Sequence, residues 1–344
     1  MSGLKNAKFK SPAEATLFDW ALLTLIIAFG GSAFVMIRNA VETIPPPIVA
    51  VGRLWVGAIL LYVLMRAAGR RLPPFFMRRN NRLTIRRSWR WMIAVGAIGN
   101  VIPFFIFPWA QQHVESGLAG IYMAFMPIWT VALAFFFAGE KLSGRKLVGF
   151  ALGFIGVIVL MGPDVIKGAL SSDLRAQAAL LFATFLYGAS AVLARRAPPI
   201  RPRVFAAGMM IVAAIAASPA LLFFELKADQ WSLTSMASIV GLGIFPTGVN
   251  GVLIIMLIRR AGAGFMALSN YITPLWAVAM GAMIYHERLE PTALAALVII
   301  LIGVAISQRS PFSKKRSTGS ETGDNLAAAL EPMIEKTDSD QTKI

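Results

Sequence analysis

The chain has 344 residues and a mass of 37.2 kDa; 57% of its residues are apolar, 15% are charged, and it contains no Cys. A soluble domain carries about a quarter charged residues, which excludes an ordinary cytosolic enzyme, a secreted disulfide scaffold and a disordered regulator. The lack of Cys removes thiolate zinc sites, Fe–S clusters and cysteine nucleophiles. The net charge of +16 is not a nucleic-acid footprint, because Lys and Arg lie between long apolar runs instead of on one soluble face.

Taken in chain order, residues 1–18 form a short basic segment, and the chain then enters its first apolar run through Asp19-Trp20. With no small-residue cleavage site, that run reads as a retained helix and not a signal peptide. A spanning helix needs about 20 mostly apolar residues. Runs of this kind fall at 20–37, 47–65, 91–109, 116–138, 146–162, 176–194, 204–224, 234–258, 261–285 and 291–307. The sequence therefore predicts an all-α polytopic membrane protein with ten transmembrane helices. Orientation follows from charge. Arg38, Lys167, Arg175, Lys227 and Arg288 fall on one side and Arg53 inside a span, while every other Lys and Arg falls on the opposite side. The positive-inside bias then places both termini in the cytoplasm. Residues 308–344 are polar, rich in Ser and Thr, and read as a disordered cytoplasmic tail.

An internal repeat is present. A shift of 147 pairs Gly117 with Gly264, Pro127 with Pro274, Trp129 with Trp276, Glu140 with Glu287 and Gly156 with Gly303. A shift of 157 pairs Gly31 with Gly188, Val35 with Val192 and Arg38 with Arg195. The repeats run over 19–163 and 175–307. Five helices per repeat is an odd number, so the second copy enters the membrane from the opposite side. Two inverted five-helix repeats around a midplane site are an arrangement of transporters.

The stretch MPIWTVALAFFFAGEKLSGRKLVGFALGFIGVIVL and its second copy TPLWAVAMGAMIYHERLEPTALAALVIILIGVAI resemble the paired EamA domains of the drug/metabolite transporter superfamily. The resemblance covers about 20–307 and rests on a twice-occurring P-x-W…E-[KR]-L signature. It implies a basket of ten helices, cytoplasmic termini and export of small metabolites across the bacterial inner membrane. It leaves the substrate open.

Several residues are candidates for the transport site. Arg53 is the one charge inside a span, roughly 10 Å below the outer end of the second helix. A charge there costs several kcal/mol unless paired or wet. It either meets the carboxylate or phosphate of a substrate, or snorkels and caps carbonyls of the first helix. Asn100 sits beside Gly99 and Pro103, and Asn250 beside Pro246, Gly248 and Gly251. Such breakers at matching places point to discontinuous helices around a central site; helix–helix packing is the alternative. Tyr122, Met126 and Trp129 share one helical face, and Asn270, Thr273 and Pro274 another, with Tyr271 beside it and Tyr187 further along the chain. Such stripes serve either packing or binding. Pro127 and Pro274 read as hinges. Glu140 and Glu287 read as interfacial ion pairs or as gate elements at opposite mouths. The Gly149-xxx-Gly153 pair offers a close packing surface or a homodimer face.

His113 and His286 are the only histidines and have no carboxylate cluster beside them, so neither a metal site nor a cofactor is expected. No nucleophile-elbow, zinc-protease or P-loop motif occurs, and an enzyme is not expected. No span carries Asp or Glu, which fits facilitated efflux or exchange slightly better than proton coupling. The leading expectation is an exporter of a small metabolite, amino-acid-like solute or amphipathic drug, with the bilayer as its other partner. Rivals are a flippase for a lipid or lipid-linked sugar, and a non-transporting scaffold.

Overall fold

Long apolar runs can satisfy every backbone N–H and C=O away from water only as helix, because each hydrogen bond then closes within the segment. The computed structural model describes residues 15–79, 82–138, 144–161, 172–225 and 227–308. Glu140, most of the N-terminal segment and nearly all of the tail lie outside the described residues. The helices are α1 (Leu17–Val41), α2 (Pro46–Ala67), α3 (Arg87–Gly96), α4 (Ile102–Ala110), α5 (Ser116–Met123), α6 (Met126–Ala138), α7 (Gly144–Met161), α8 (Ser172–Arg196), α9 (Pro202–Ala217), α10 (Leu233–Leu242), α11 (Asn250–Met266), α12 (Ser269–Tyr285) and α13 (Pro291–Gln308). Several of these join end to end. Among the described residues, eight helical stretches are long and apolar enough to cross a membrane, and Pro291–Ser307 is a shorter apolar helix.

Local sequence sets the ends. Thr16 caps α1: its hydroxyl accepts from the Asp19 amide, while the Asp19 carboxylate accepts from the Thr16 amide and hydroxyl. Pro46 and Pro202 open α2 and α9, where a missing N–H costs nothing. The outward surface is apolar, with Ile59, Phe136, Leu147, Ile215 and Met283 all more than half exposed.

Three features depart from the expectation of an all-α set of plain spans. The basic segment after α2 contains a hairpin of β1 (Phe76–Arg79) and β2 (Arg82–Ile85), antiparallel with Phe76 opposite Ile85. The expected span 116–138 is broken into α5 and α6. Pro127 cannot donate to Met123, and the chain tightens there through bonds from the Ala124 and Phe125 amides to the Ile121 and Tyr122 carbonyls. The expected boundary near residues 258–261 lies instead at a kink at Gly262 (φ 89°, ψ 162°), a left-sided conformation that only glycine adopts at no steric cost, and α12 begins at Ser269.

The breakers beside Asn100 and Asn250 widen their helices without interrupting them. Ala97–Val101 joins α3 to α4, and Gly243–Val249 joins α10 to α11, as π-helical turns at corresponding places in the repeat. Helix packing crosses between the sequence halves. α1 lies against α10, α11 and α12, while α8 lies against α3, α4 and α6, and α2 pairs with α9. The Gly149-xxx-Gly153 stripe is used within the chain, since a Cβ at Gly149 would lie 2.5 Å from the Gly303 carbonyl oxygen. Leu180, Leu242 and Ile44 are fully enclosed in the core between these layers.

Candidate functional site

Two adjoining cavities occupy the middle of the bundle. The larger, of about 380 Å³, is walled by α1, α2, α4, α5, α6, α8, α11, α12 and the turn before α11. The smaller, of about 300 Å³, shares Arg53, Met123, Tyr187 and Pro246 with it and extends along α2 and α9 to Arg203. Beyond Arg203 it meets a third space of about 590 Å³, lined by Arg70, Arg201, Arg203, Arg259 and Arg260. The three form a run from mid-bundle to an arginine-rich mouth.

Arg53 is held at the junction by a short chain of causes. Pro246 has no N–H to give the Leu242 carbonyl. The Thr247 hydroxyl donates to that carbonyl at 2.8 Å and accepts from Arg53 Nε at 2.9 Å. The guanidinium carbon lies 3.9 Å from the centre of the Phe104 ring, a cation–π contact. Among the described residues, neither cavity is lined by Asp or Glu. Among the described residues, Arg53 has no carboxylate partner and its Nη atoms have no hydrogen-bond partner.

Asn250 lines the larger cavity and is buried, and its Oδ1 has no hydrogen-bond partner. Such a group costs about 1–3 kcal/mol when left unpaired. Asn270, Pro127 and Pro274 also line this cavity, Asn100 lines the smaller one, and Tyr187 lines both. Of the expected site residues, the structure thus brings together Arg53, Asn100, Tyr187, Asn250 and Asn270.

Tyr122, Trp129 and Tyr271 do not line the cavities. Tyr122 is fully enclosed and its hydroxyl donates to Gln177 Oε1 at 2.7 Å. Trp129 sits edge-on among Phe125, Phe150 and Phe185 and presses on Gly188 of α8. Its repeat partner Trp276 presses on Gly31 of α1 and donates to the Ser32 hydroxyl at 3.1 Å. Tyr271 packs beside the cluster centred on Phe125 and Ile128. Residues the sequence reading missed include Thr247, which seats Arg53, and Met123, Phe34, Phe107 and Ser269 in the lining. A hydroxyl directly after a mid-span proline was the available signal for Thr247; the apolar lining residues carry none.

At the opposite end of the bundle, α12 is fastened to α5. Glu287, at the end of α12, accepts at Oε1 from the Ser116 amide (2.9 Å) and hydroxyl (2.8 Å), and at Oε2 from the Gly117 amide (2.9 Å). These amides have no partner within the helix because they lie in the first turn of α5, where a negative charge also interacts favourably with the helix dipole. Arg38 donates from Nη1 to the Val114 carbonyl at 3.3 Å nearby. Burial lifts the adjacent Glu115 carboxyl above its usual range, with the Glu287 carboxylate adding to the effect and Arg38 opposing it. At the arginine-rich end, the wholly buried Asp19 accepts from Arg260 Nε at 2.9 Å, joining α1 to α11.

The described residues include no group of three or more acidic or imidazole side chains placed to hold a metal ion. The EamA-like transporter family matches the chain twice, over residues 19–162 and 174–308. The chain is 26% identical over 294 residues to the inner membrane transporter YedA of Escherichia coli K12, covering 83% of this chain and 89% of that protein. It is 24% identical over 299 residues to a probable terminal-alkyne amino-acid exporter of Streptantibioticus cattleyicolor, covering 86% and 95%. A transporter of Archaeoglobus fulgidus is 23% identical over 296 residues, covering 84% and 98%. A solved crystal structure superposes with a TM-score of 0.57 at 18% identity, spanning 85% of this chain and 96% of its own, which indicates a shared fold.

Proposed function

The chain belongs to the EamA-like transporter family, a multi-pass membrane transporter, and from that premise we propose that it exports a small metabolite, amino-acid-like solute or amphipathic drug from the cytoplasm. Two inverted five-helix repeats alternate access to the central cavity. The first repeat comprises α1 to α7 and the second α8 to α13, so each broken or π-turned pair counts as one span. Both termini are cytoplasmic, in a bacterial inner membrane, as the uneven loop charge supports.

The observation that carries this reading is the asymmetry of the cavity's two ends. One end leads into an arginine-lined mouth, and the other is fastened by Glu287 on the first turn of α5. A cavity accessible from one side, walled by helices from both halves, is what one state of an alternating-access carrier requires. The loop-charge bias supports a cytoplasmic mouth, which suits loading for export. The exporter named among the relatives supports an amino-acid-like cargo.

The test is flux into inside-out vesicles, with labelled amino acids, sugars and cationic drugs, each with and without a pH gradient. Saturable uptake of one class, lost in Asn250→Ala at equal expression, is the expected result. No flux of any class above empty vesicles, with folded protein confirmed, overturns the exporter reading.

A further inference from the structure

Among the described residues, Arg53 is the single charged side chain in the lining of the larger cavity, and no acid lines either central cavity. Resting on the transporter reading above, we infer that the cavity selects an amphipathic carboxylate, taken by the Nη pair of Arg53, with a second polar group of the solute meeting Asn250.

The guanidinium is already oriented. Its Nε is committed to Thr247 and its central carbon lies over the Phe104 ring, while its Nη atoms have no partner and the residue lines both cavities. A planar fork with both outer donors free matches the two oxygens of a carboxylate. A phosphate monoester carries nearly two negative charges. Arg53 alone neutralises one, so the charge balance favours a carboxylate. Organic cations are disfavoured twice. They meet five arginines at the mouth and then a cation with no counterion in the low-dielectric centre.

Asn250 fixes the second polar contact. It lines the larger cavity together with Arg53, and its Oδ1 is buried without a donor. The ammonium or hydroxyl of an amino-acid-like solute supplies that donor. Phe34, Phe107, Met123 and Met126 offer apolar surface for the remainder, and methionines accommodate varied shapes. The cargo class is therefore an apolar amino acid or a close analogue with a free carboxylate.

Equilibrium dialysis of the full chain in lipid nanodiscs tests this with four labelled probes of similar shape. These are L-phenylalanine, 3-phenylpropionate, L-phenylalaninamide and phenethylamine. The expected result is that the two carboxylates bind, while the amide and the amine bind at least about tenfold more weakly, the equivalent of losing one charge-assisted contact. Arg53→Gln removes that preference. Arg53→Lys keeps the charge, protects the fold and retains an intermediate affinity. Asn250→Ala weakens phenylalanine and leaves phenylpropionate unchanged. Phenethylamine binding as tightly as phenylalanine overturns the inference, as does failure of both carboxylates to bind folded protein. Carboxylate binding through Arg53 without vesicle flux supports the site and overturns the exporter reading. Flux of the amine, insensitive to Arg53→Gln, overturns the site and supports the exporter reading.

Discussion

Trp129 and Trp276 are one residue of the repeat in two settings. Each presses on the glycine of the opposite half, Gly188 or Gly31, where a Cβ would collide. The residue after Gly31 is Ser32, which accepts from Trp276 Nε1, whereas the residue after Gly188 is Ala189, and Trp129 Nε1 is buried without a partner. Ala189→Ser restores the missing acceptor. The expected outcome is a gain of about 1 kcal/mol in stability, read as a higher melting temperature in detergent, with transport unchanged. A fall in melting temperature contradicts the pairing. The tryptophans are therefore fasteners between halves. Their place in the twice-occurring signature was legible in the sequence, but a helical stripe states which residues share a face and not what covers it. The stripe Tyr122, Met126 and Trp129 also assumes an unbroken helix. The tight turn at Ala124–Phe125 shifts the phase, so Met126 faces the cavity while Tyr122 and Trp129 face α8.

Among elements, the π-helical turn at Gly243–Val249 shapes the site most directly. Its proline frees the Leu242 carbonyl, the carbonyl draws the Thr247 hydroxyl, and the hydroxyl seats Arg53. Pro246→Ala returns an amide donor to the helix and removes the local cause of the wide turn. Stability is expected to hold or rise by up to about 3 kcal/mol, while saturable flux falls by an order of magnitude or more. Normal flux with a stabilised fold contradicts a role for the turn. The breaker clusters in both halves marked the correct segments from sequence. That the helices widen and do not break was not legible, because π turns and unwound segments draw on the same glycines and prolines. The hairpin at Phe76–Ile85 was hidden for another reason: its nine-arginine neighbourhood reads as an interfacial loop, and four-residue strands carry little pattern. Asp19 with Arg260 was out of reach because the pair joins residues 241 positions apart, although both lie at the ends expected to share one membrane face.

At the scale of the whole molecule, the two ends of the bundle differ in how they are held. The mouth end keeps its arginines apart around open space, with Asp19 and Arg260 pinning α1 to α11 at its edge. The far end draws α12 onto α5 through three hydrogen bonds to a single carboxylate. The central claim is that the cavity is reached from the mouth and sealed at the Glu287 end. The most direct measurement uses the absence of native Cys. Met123→Cys places a thiol in the wall shared by both central cavities, and a membrane-impermeant maleimide is applied to inside-out and right-side-out vesicles. The expected result is labelling in inside-out vesicles, little in right-side-out ones, and a rise of several-fold in the latter when Glu287→Gln is added. Equal labelling from both sides in the single variant, or labelling from the outside alone, contradicts the account.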